Sequence, residues 1–209
     1  MKARFTVADI QKHALAIVER DGLSALTMRS LATSLQTGPM TLYNYVDSRE
    51  ALEELVVDAV VGRIDLPEPT DDWLADTRAV ATAAWRTFRA HPAIIPLVVT
   101  RRTTSRAQLR LVEAQMAALA RGGLDPAAQL VAFRTIIGFV MGIAQNELAG
   151  PLTRERDPAA AAERIAALNR GEFPAIAVVT PFLAAHAGEE EFEAGLTAVL
   201  AGIEKTLCG

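Results

Sequence analysis

Cysteine is nearly absent: the single one, Cys208, sits one residue from the end of the 209-residue chain. No disulfide can form within the chain, and nothing in the composition asks for an oxidising compartment. Histidine is scarce too. His13, His91 and His186 stand far apart without the spacing of metal ligands, so neither a metal nor another cofactor is expected. Aromatic residues make up 5% of the chain and include only two tyrosines and two tryptophans. The longest strongly apolar run, 136–144, falls far short of the ~20 residues a membrane span needs. Lys2 and Arg4 have no apolar stretch behind them, because Asp9, Gln11 and Lys12 follow, so no targeting segment is read there. Together these absences lead to the expectation of a soluble, cytoplasmic protein that inserts in no membrane.

What is present excludes disorder: 51% of residues are hydrophobic and 22% charged, an ordinary globular share. The length allows one sizeable core or two modest ones. The formal net charge of −4 argues at first against a nucleic-acid partner. That average hides a division. Residues 1–50 carry six Lys/Arg and five acids, whereas 51–209 carry 15 positive and 20 negative charges, so the acidity belongs to the later part.

Helical spacing runs through nearly the whole chain, and convincing strand alternation is absent. Thr6 is placed as an N-cap, with Asp9 at the third helical position and Phe5 and Ile10 set as a hydrophobic staple. Val7, Ile10, Ala14, Ile17 and Val18 then form one apolar stripe, stopped at Asp21-Gly22. Thr27 caps a shorter helix over 28–35, whose Leu31, Ala32 and Leu35 extend a stripe begun by Leu23 and Leu26. After Gln36-Thr37-Gly38, Pro39 opens a very short helix to Tyr45. Asp47 and Glu50 read as the cap of a long helix reaching Ile64, and the closely spaced Pro67 and Pro69 form a linker. Further helices are expected at about 72–90, 92–99, 105–121, 126–148, 159–169, 174–187 and 189–207, with a loop over 150–157. No repeat of fixed period is present.

The segments 28–35 and 39–45, joined by a tight glycine-containing turn and preceded by a helix to pack on, make a helix-turn-helix. In that motif the first helix of the pair crosses the phosphate backbone and the second offers its N-terminal residues to base edges in the major groove. Leu42 and Val46 are spaced to face the core, which leaves Met40, Thr41, Tyr43, Asn44 and Tyr45 toward solvent or a groove. Both tyrosines of the chain thus fall in one seven-residue segment. Such a surface suits contact with thymine methyls and hydrogen bonds to phosphates. The same geometry also occurs inside ordinary helical proteins, with Tyr43 or Tyr45 packed in the core.

Three segments together resemble the signature of TetR-family transcriptional regulators: Leu26-Thr27-Met28-Arg29-Ser30-Leu31-Ala32, Gly38-Pro39-Met40-Thr41-Leu42-Tyr43-Asn44-Tyr45-Val46 and Ser48-Arg49-Glu50-Ala51-Leu52. Near the C-terminus, Glu191-Phe192-Glu193-Ala194-Gly195-Leu196 and Ala201-Gly202-Ile203-Glu204-Lys205 are similar to the last helix of the tetracycline-repressor type of C-terminal domain. The resemblance implies an all-α fold. An N-terminal three-helix helix-turn-helix domain, over 3–63 with its long linker helix, would join a C-terminal helical ligand-binding and dimerisation domain over 64–209. It further implies a homodimeric, sequence-specific DNA-binding repressor, released from a palindromic double-stranded operator by a small-molecule effector.

Carried over by position, the resemblance assigns Thr27, Arg29, Pro39, Thr41, Tyr43, Tyr45 and Arg49 to the DNA face. Met28, Gly38, Met40 and Asn44 complete the candidate set. Arg49 stands where the family usually has a lysine contacting phosphate, and Arg29 is the best base-reading candidate, since arginine to guanine is the commonest specific contact. Met28 departs from the polar residue of the tetracycline repressor, so that repressor's operator does not transfer.

The segment 127–148 is apolar nearly all round, and such a helix is buried on all sides, at a domain centre or a subunit interface. Gly138 and Gly142 on it, with Gly195 and Gly202 on the last helix, permit close helix approach. The spacing fits internal packing as well; the resemblance makes these two helices the dimer interface, with Met141 and Ala198 beside the glycines. Arg134 interrupts the apolar helix, and burial there would call for an internal salt bridge or a ligand counter-ion. The family also implies an effector pocket, for which Trp85, Phe88, Gln115, Met116, Phe133 and Arg134 are the candidates. Where the tetracycline repressor places a metal-binding histidine this chain has Val98-Val99-Thr100-Arg101-Arg102, so an apolar or amphipathic effector is expected instead. His91-Pro92 reads as a helix junction, Glu189-Glu190-Glu191 as acids at a helix start, and Arg101-Arg102 as a solvated turn. An enzyme using Glu147 and Arg134 is the rival class. No nucleophile–base pairing, phosphate loop or metal cluster supports it, so no catalytic role is expected. A third class is an interaction module with a vestigial helix-turn-helix.

Overall fold

The computed structural model describes residues 5–100, 105–149, 157–169, 171–182 and 188–207. Arg101, Arg102, residues 150–156, His186 and Cys208, singled out above, lie outside the described residues. Among those described there are eleven α-helices and no strand. The chain divides into two compact units, 1–123 and 124–209.

In the first unit α1 (Val7–Asp21) starts as expected: the Thr6 hydroxyl accepts from Asp9 N, and the Asp9 carboxylate accepts from Thr6 N at 2.8 Å. The Thr6 backbone N–H first, and then the Thr6 hydroxyl, which donates to the same carboxylate at 2.7 Å, hold the Asp9 carboxyl below its ordinary value. The buried face of α1 is Ile10, Ala14, Leu15, Ile17 and Val18. Val7, expected in the stripe, is instead 52% exposed; it lies in the first turn, before the helix meets its neighbours. After a 3-10 turn (Leu23–Ala25), α2 (Met28–Ser34) and α3 (Pro39–Leu42) follow. α3 is four residues, not seven, and the backbone continues through Tyr45 as turns.

α4 (Arg49–Val61) is capped by Ser48, whose hydroxyl accepts from Ala51 N at 3.0 Å. The expected Asp47 cap is thus displaced by one residue, and the helix stops three residues short of Ile64. α4 packs against α1 and also against α5 (Trp73–Ala90), α6 (Ile95–Thr100) and α7 (Arg106–Arg121). That double engagement is why the compact unit runs on to Gly123. The segment expected as one helix over 92–99 opens as a 3-10 turn, Pro92–Ile94, hinged at His91. His91 Nδ1 lies 2.7 Å from Glu19 Oε1, without hydrogen-bond alignment, and Arg63 reaches its other ring nitrogen at 3.4 Å.

The linker is fastened by a contact not visible in the sequence pattern. Asp76, buried on α5, accepts from Thr70 N through both oxygens (3.0 and 2.9 Å), from the Thr70 hydroxyl (2.8 Å) and from Arg121 of α7. These donors, the Thr70 backbone N–H first, hold the Asp76 carboxyl below its ordinary 3.8. A carboxyl whose pKa is depressed on folding contributes stability above its unfolded value and loses it as pH falls through and below that value. Asp76→Asn is therefore expected to lower the melting temperature at pH 7 and to flatten its decline below about pH 4, as thermal melts across pH would show. Beside this cluster Gly122 ends α7 against Trp73; an added methyl would lie 2.5 Å from the indole Cδ2.

In the second unit α8 (Pro126–Ala149) packs on α11 (Glu189–Leu207), with the Phe139 and Phe192 rings 5.6 Å apart. Asp125 caps α8, its carboxylate accepting from Ala128 N at 2.8 Å. α9 (Pro158–Asn169) leads to α10 (Pro174–Val179) and a 3-10 turn, Thr180–Phe182, which replace most of the single helix expected over 174–187. The buried Asn169 side chain joins α9 to α10 by accepting from Phe173 N (2.8 Å) and donating to Phe173 O (3.1 Å).

Two expectations about α8 are corrected. It is not buried on all sides within the chain: Ala132, Ile136, Val140 and Ala144 are, but Leu130 and Val131 are 41% and 54% exposed. Arg134, expected to be buried in an internal salt bridge or as the counter-ion of a ligand, is exposed, so it carries no buried-charge cost. Helical continuity also makes the apolar stretch longer than the 136–144 run suggested. By length and composition alone Pro126–Glu147, with mean hydropathy 1.7, could cross a membrane, and only 22% of that window is buried in the chain.

Candidate nucleic-acid interface

The geometry of the helix-turn-helix rests on how α2 ends. Thr37 N donates to Ala32 O at 2.9 Å and Gln36 N to Thr33 O at 3.1 Å, the paired bonds of a Schellman motif. Gln36 supplies the left-handed residue that motif requires, with φ 51°. The sequence pattern pointed to Gly38 for the turn; Gly38 is extended (φ −83°) and serves as N-cap of α3, with Pro39 at the first helical position. At the other end of α2, Thr27 and Ser30 form a capping box, each side chain accepting the other's backbone N–H at 3.0 Å.

Leu42 and Val46 are 0% and 2% exposed, as expected, and anchor the segment 39–46. With those two fixed inward, Met40 (77% exposed), Tyr43 (49%) and Asn44 are left outside, together with Pro39 and Gly38, while Thr41 is half-buried. Tyr45 differs. It is half-buried, its ring meets Phe5 edge-on at 6.5 Å, and its hydroxyl accepts from Phe5 N at 3.4 Å. Its body therefore ties the start of α1 to the end of the second helix of the motif. On α2, Thr27 and Arg29 are exposed and Met28 half-buried.

Arg49 is the first residue of α4, half-exposed, and its Nε donates to Glu53 Oε1 at 2.9 Å. Glu53, whose side chain is only 6% exposed, was not singled out by sequence reasoning. The i, i+4 spacing of opposite charges was the available signal, but nothing in that spacing marks the carboxylate as buried.

The residues implied for an effector lie in both units. In the first, Trp85 and Phe88 are fully buried on α5 and Gln115 is buried on α7, where its Nε2 has no hydrogen-bond partner; Met116 is half-buried. Arg89 lies 5.1 Å over the Trp85 ring. In the second, Phe133 is half-buried and Arg134 exposed. Of the residues implied for a dimer interface, Gly138, Gly142 and Gly202 have open space around the position of a Cβ, and Met141 and Ala198 keep exposure. Gly195 differs in its surroundings: a Cβ there would lie 2.6 Å from Phe139 Cζ of the same chain. The acids Glu189, Glu190 and Glu191 do occupy the first turn of α11, where they complement the helix dipole.

A helix-turn-helix with an open second helix, carried on α1 and α4 and followed by further helices, defines a DNA-binding protein of the all-α, helix-turn-helix class. Residues 66–207 match the family described as "Tetracyclin repressor-like, C-terminal domain". An HTH-type transcriptional regulator of Saccharopolyspora erythraea is 31% identical over 212 residues, covering 98% of this chain and 87% of its own. The tetracycline repressor protein class E of Escherichia coli is 27% identical over 150 residues, 70% of this chain and 71% of its own. The crystal structure of apo ActR from Streptomyces coelicolor superposes with a TM-score of 0.86 at 26% identity, over 98% of this chain and 97% of that one. The chain belongs to the TetR family and is a DNA-binding transcriptional regulator.

Proposed function

We propose that the chain is a homodimeric, cytoplasmic repressor that holds a palindromic operator and releases it when a small-molecule effector binds, with no catalytic step of its own. The observation that carries the DNA part is the exposure of Met40, Tyr43 and Asn44 around the buried pair Leu42 and Val46. Thr27, Met28, Arg29, Gly38, Pro39, Thr41, Tyr45 and Arg49 complete the surface offered to the duplex. Two copies would read two half-sites about one helical turn (~34 Å) or a multiple of it apart. The functional boundary is placed after residue 63, supported by the Pro67/Pro69 break and by a family match that starts at residue 66.

For the effector, the support is Gln115, a buried amide donor without a partner, on a helix that packs against the one bearing Trp85 and Phe88. An unpaired buried donor is costly, and a ligand carrying an acceptor on an otherwise apolar body would relieve it. ActR has been solved in complex with actinorhodin, and an apolar or amphipathic effector is proposed here. A coupling of ~1–3 kcal/mol between the two sites is enough to change operator affinity usefully.

Repeated selection from random duplexes by the purified chain tests the reading. The expected result is one palindromic sequence whose binding weakens steeply with salt, log K falling by about 0.9 per phosphate contact for each tenfold rise in salt. Recovery of no common sequence overturns it. A thermal-shift screen of apolar and amphipathic compounds, followed by release of that duplex, tests the effector.

A further inference from the structure

We propose that Glu53 is a positioning residue for DNA binding: it holds the Arg49 guanidinium so that its two terminal nitrogens face a phosphate. The inference rests on the reading that Arg49 touches the duplex and says how it is made ready to do so. Arg49 is an awkward choice for its position. It opens α4, where the helix dipole disfavours a cation, and the same turn already has its Ser48 cap. One turn further on, a carboxylate with only 6% of its side chain exposed takes the Nε–H at 2.9 Å. Burying a carboxylate is costly unless it is paired, so this position is not explained by solubility or by packing alone.

The choice of atom carries the argument. Guanidinium has five N–H donors in a rigid fork. Nε takes up one of them, and it is the one facing back toward the chain. The four donors on Nη1 and Nη2 make no hydrogen bond among the described residues, and they form the edge that pairs with a phosphate through two parallel bonds. A surface arginine without such a tether would have to lose its rotamer freedom on binding; here the anchoring is made before the duplex arrives. Lysine, the usual residue at this place in the family, could not do this: its single ammonium can serve Glu53 or a phosphate, not both in fixed geometry. Arg49 and Glu53 are thus a matched pair.

The test is a double-mutant cycle read by fluorescence anisotropy, using the full chain and the duplex recovered by the selection described above. Glu53→Leu is expected to weaken binding about five- to tenfold, the cost of immobilising one long side chain, with a melting temperature little changed, because the Arg49 left behind is half-exposed and stays solvated, so that no unpaired charge is buried. Glu53→Gln, which keeps the Oε1 acceptor, is expected to stay within about twofold of wild type. In an Arg49→Lys background Glu53→Leu should have no further effect. Equal losses from Glu53→Leu in both backgrounds mean a structural role and overturn the proposal, as does wild-type affinity for Glu53→Leu while Arg49→Ala binds weakly. If Arg49→Ala itself binds as wild type, Arg49 makes no DNA contact, and the underlying reading fails first. Should Glu53→Leu not fold, the Gln variant decides: a loss comparable to Arg49→Ala overturns the proposal.

Discussion

Replacing Tyr43 by alanine is expected to lower affinity for the selected duplex by about 10²-fold or more, while leaving the melting curve nearly unchanged. The two halves of that statement have separate grounds. Tyr43 is 49% exposed, so truncation opens no cavity, and surface changes of this kind cost within about 0.5 kcal/mol. Its backbone is held by Leu42 and Val46, which the substitution leaves in place. On the DNA side, each lost base-edge or phosphate contact costs about 1–3 kcal/mol, and a palindrome counts it in both half-sites. Tyr45 is the internal control. Because it packs on Phe5, Tyr45→Ala should weaken DNA binding and stability together. Anisotropy titrations beside thermal melts of the two variants separate these outcomes. Wild-type affinity for Tyr43→Ala would remove the segment 39–45 from the interface.

The contrast between the two tyrosines also shows what local sequence carries. Capping and spacing are local: Thr6 with Asp9, Thr27 with Ser30 and Pro39 after Gly38 act within a few residues, and α1, α2 and the start of α3 appear where their side chains place them. So do Leu42 and Val46, whose burial follows from helical period. Other features depend on partners far along the chain. Asp76 reads as one more acid in a first helical turn until Thr70 and Arg121, the latter 45 residues away, close on it. Tyr45 and Phe5 are 40 residues apart. Gln36, not the glycine of the turn, holds the left-handed position, because it is the residue that falls just past the C-cap of α2, where the two closing bonds of a Schellman motif require it. The effector residues were legible as types only. Gln115 became informative once its amide was seen to be buried without a partner.

The second large effect concerns α8 and α11, and it turns on glycines that look alike in sequence. Gly195→Ala is expected to destabilise the folded chain by about 1–3 kcal/mol, because the new methyl meets Phe139, held in turn by Phe192. Gly138 has nothing within 4 Å of a Cβ. Gly138→Arg therefore leaves the chain folded, with a gain in helix propensity of roughly 0.7–1 kcal/mol, and its effect is seen only if a second copy approaches this face. α8 is the reason to expect that approach: only 22% of its apolar window is buried in the chain, and a water-exposed apolar strip of that length needs a cover. If the cover is a second copy, Gly138→Arg should convert the protein to a monomer by analytical ultracentrifugation and make its melting temperature independent of protein concentration. Affinity for the palindrome should then fall by about 10²-fold or more, since a lone helix-turn-helix holds one half-site. A Gly138→Arg protein that still sediments as a dimer and binds the duplex as wild type would place the interface elsewhere. A dimeric but unstable Gly195→Ala protein beside a monomeric, folded Gly138→Arg one would show that glycine does two jobs here, inside each copy at Gly195 and between copies at Gly138.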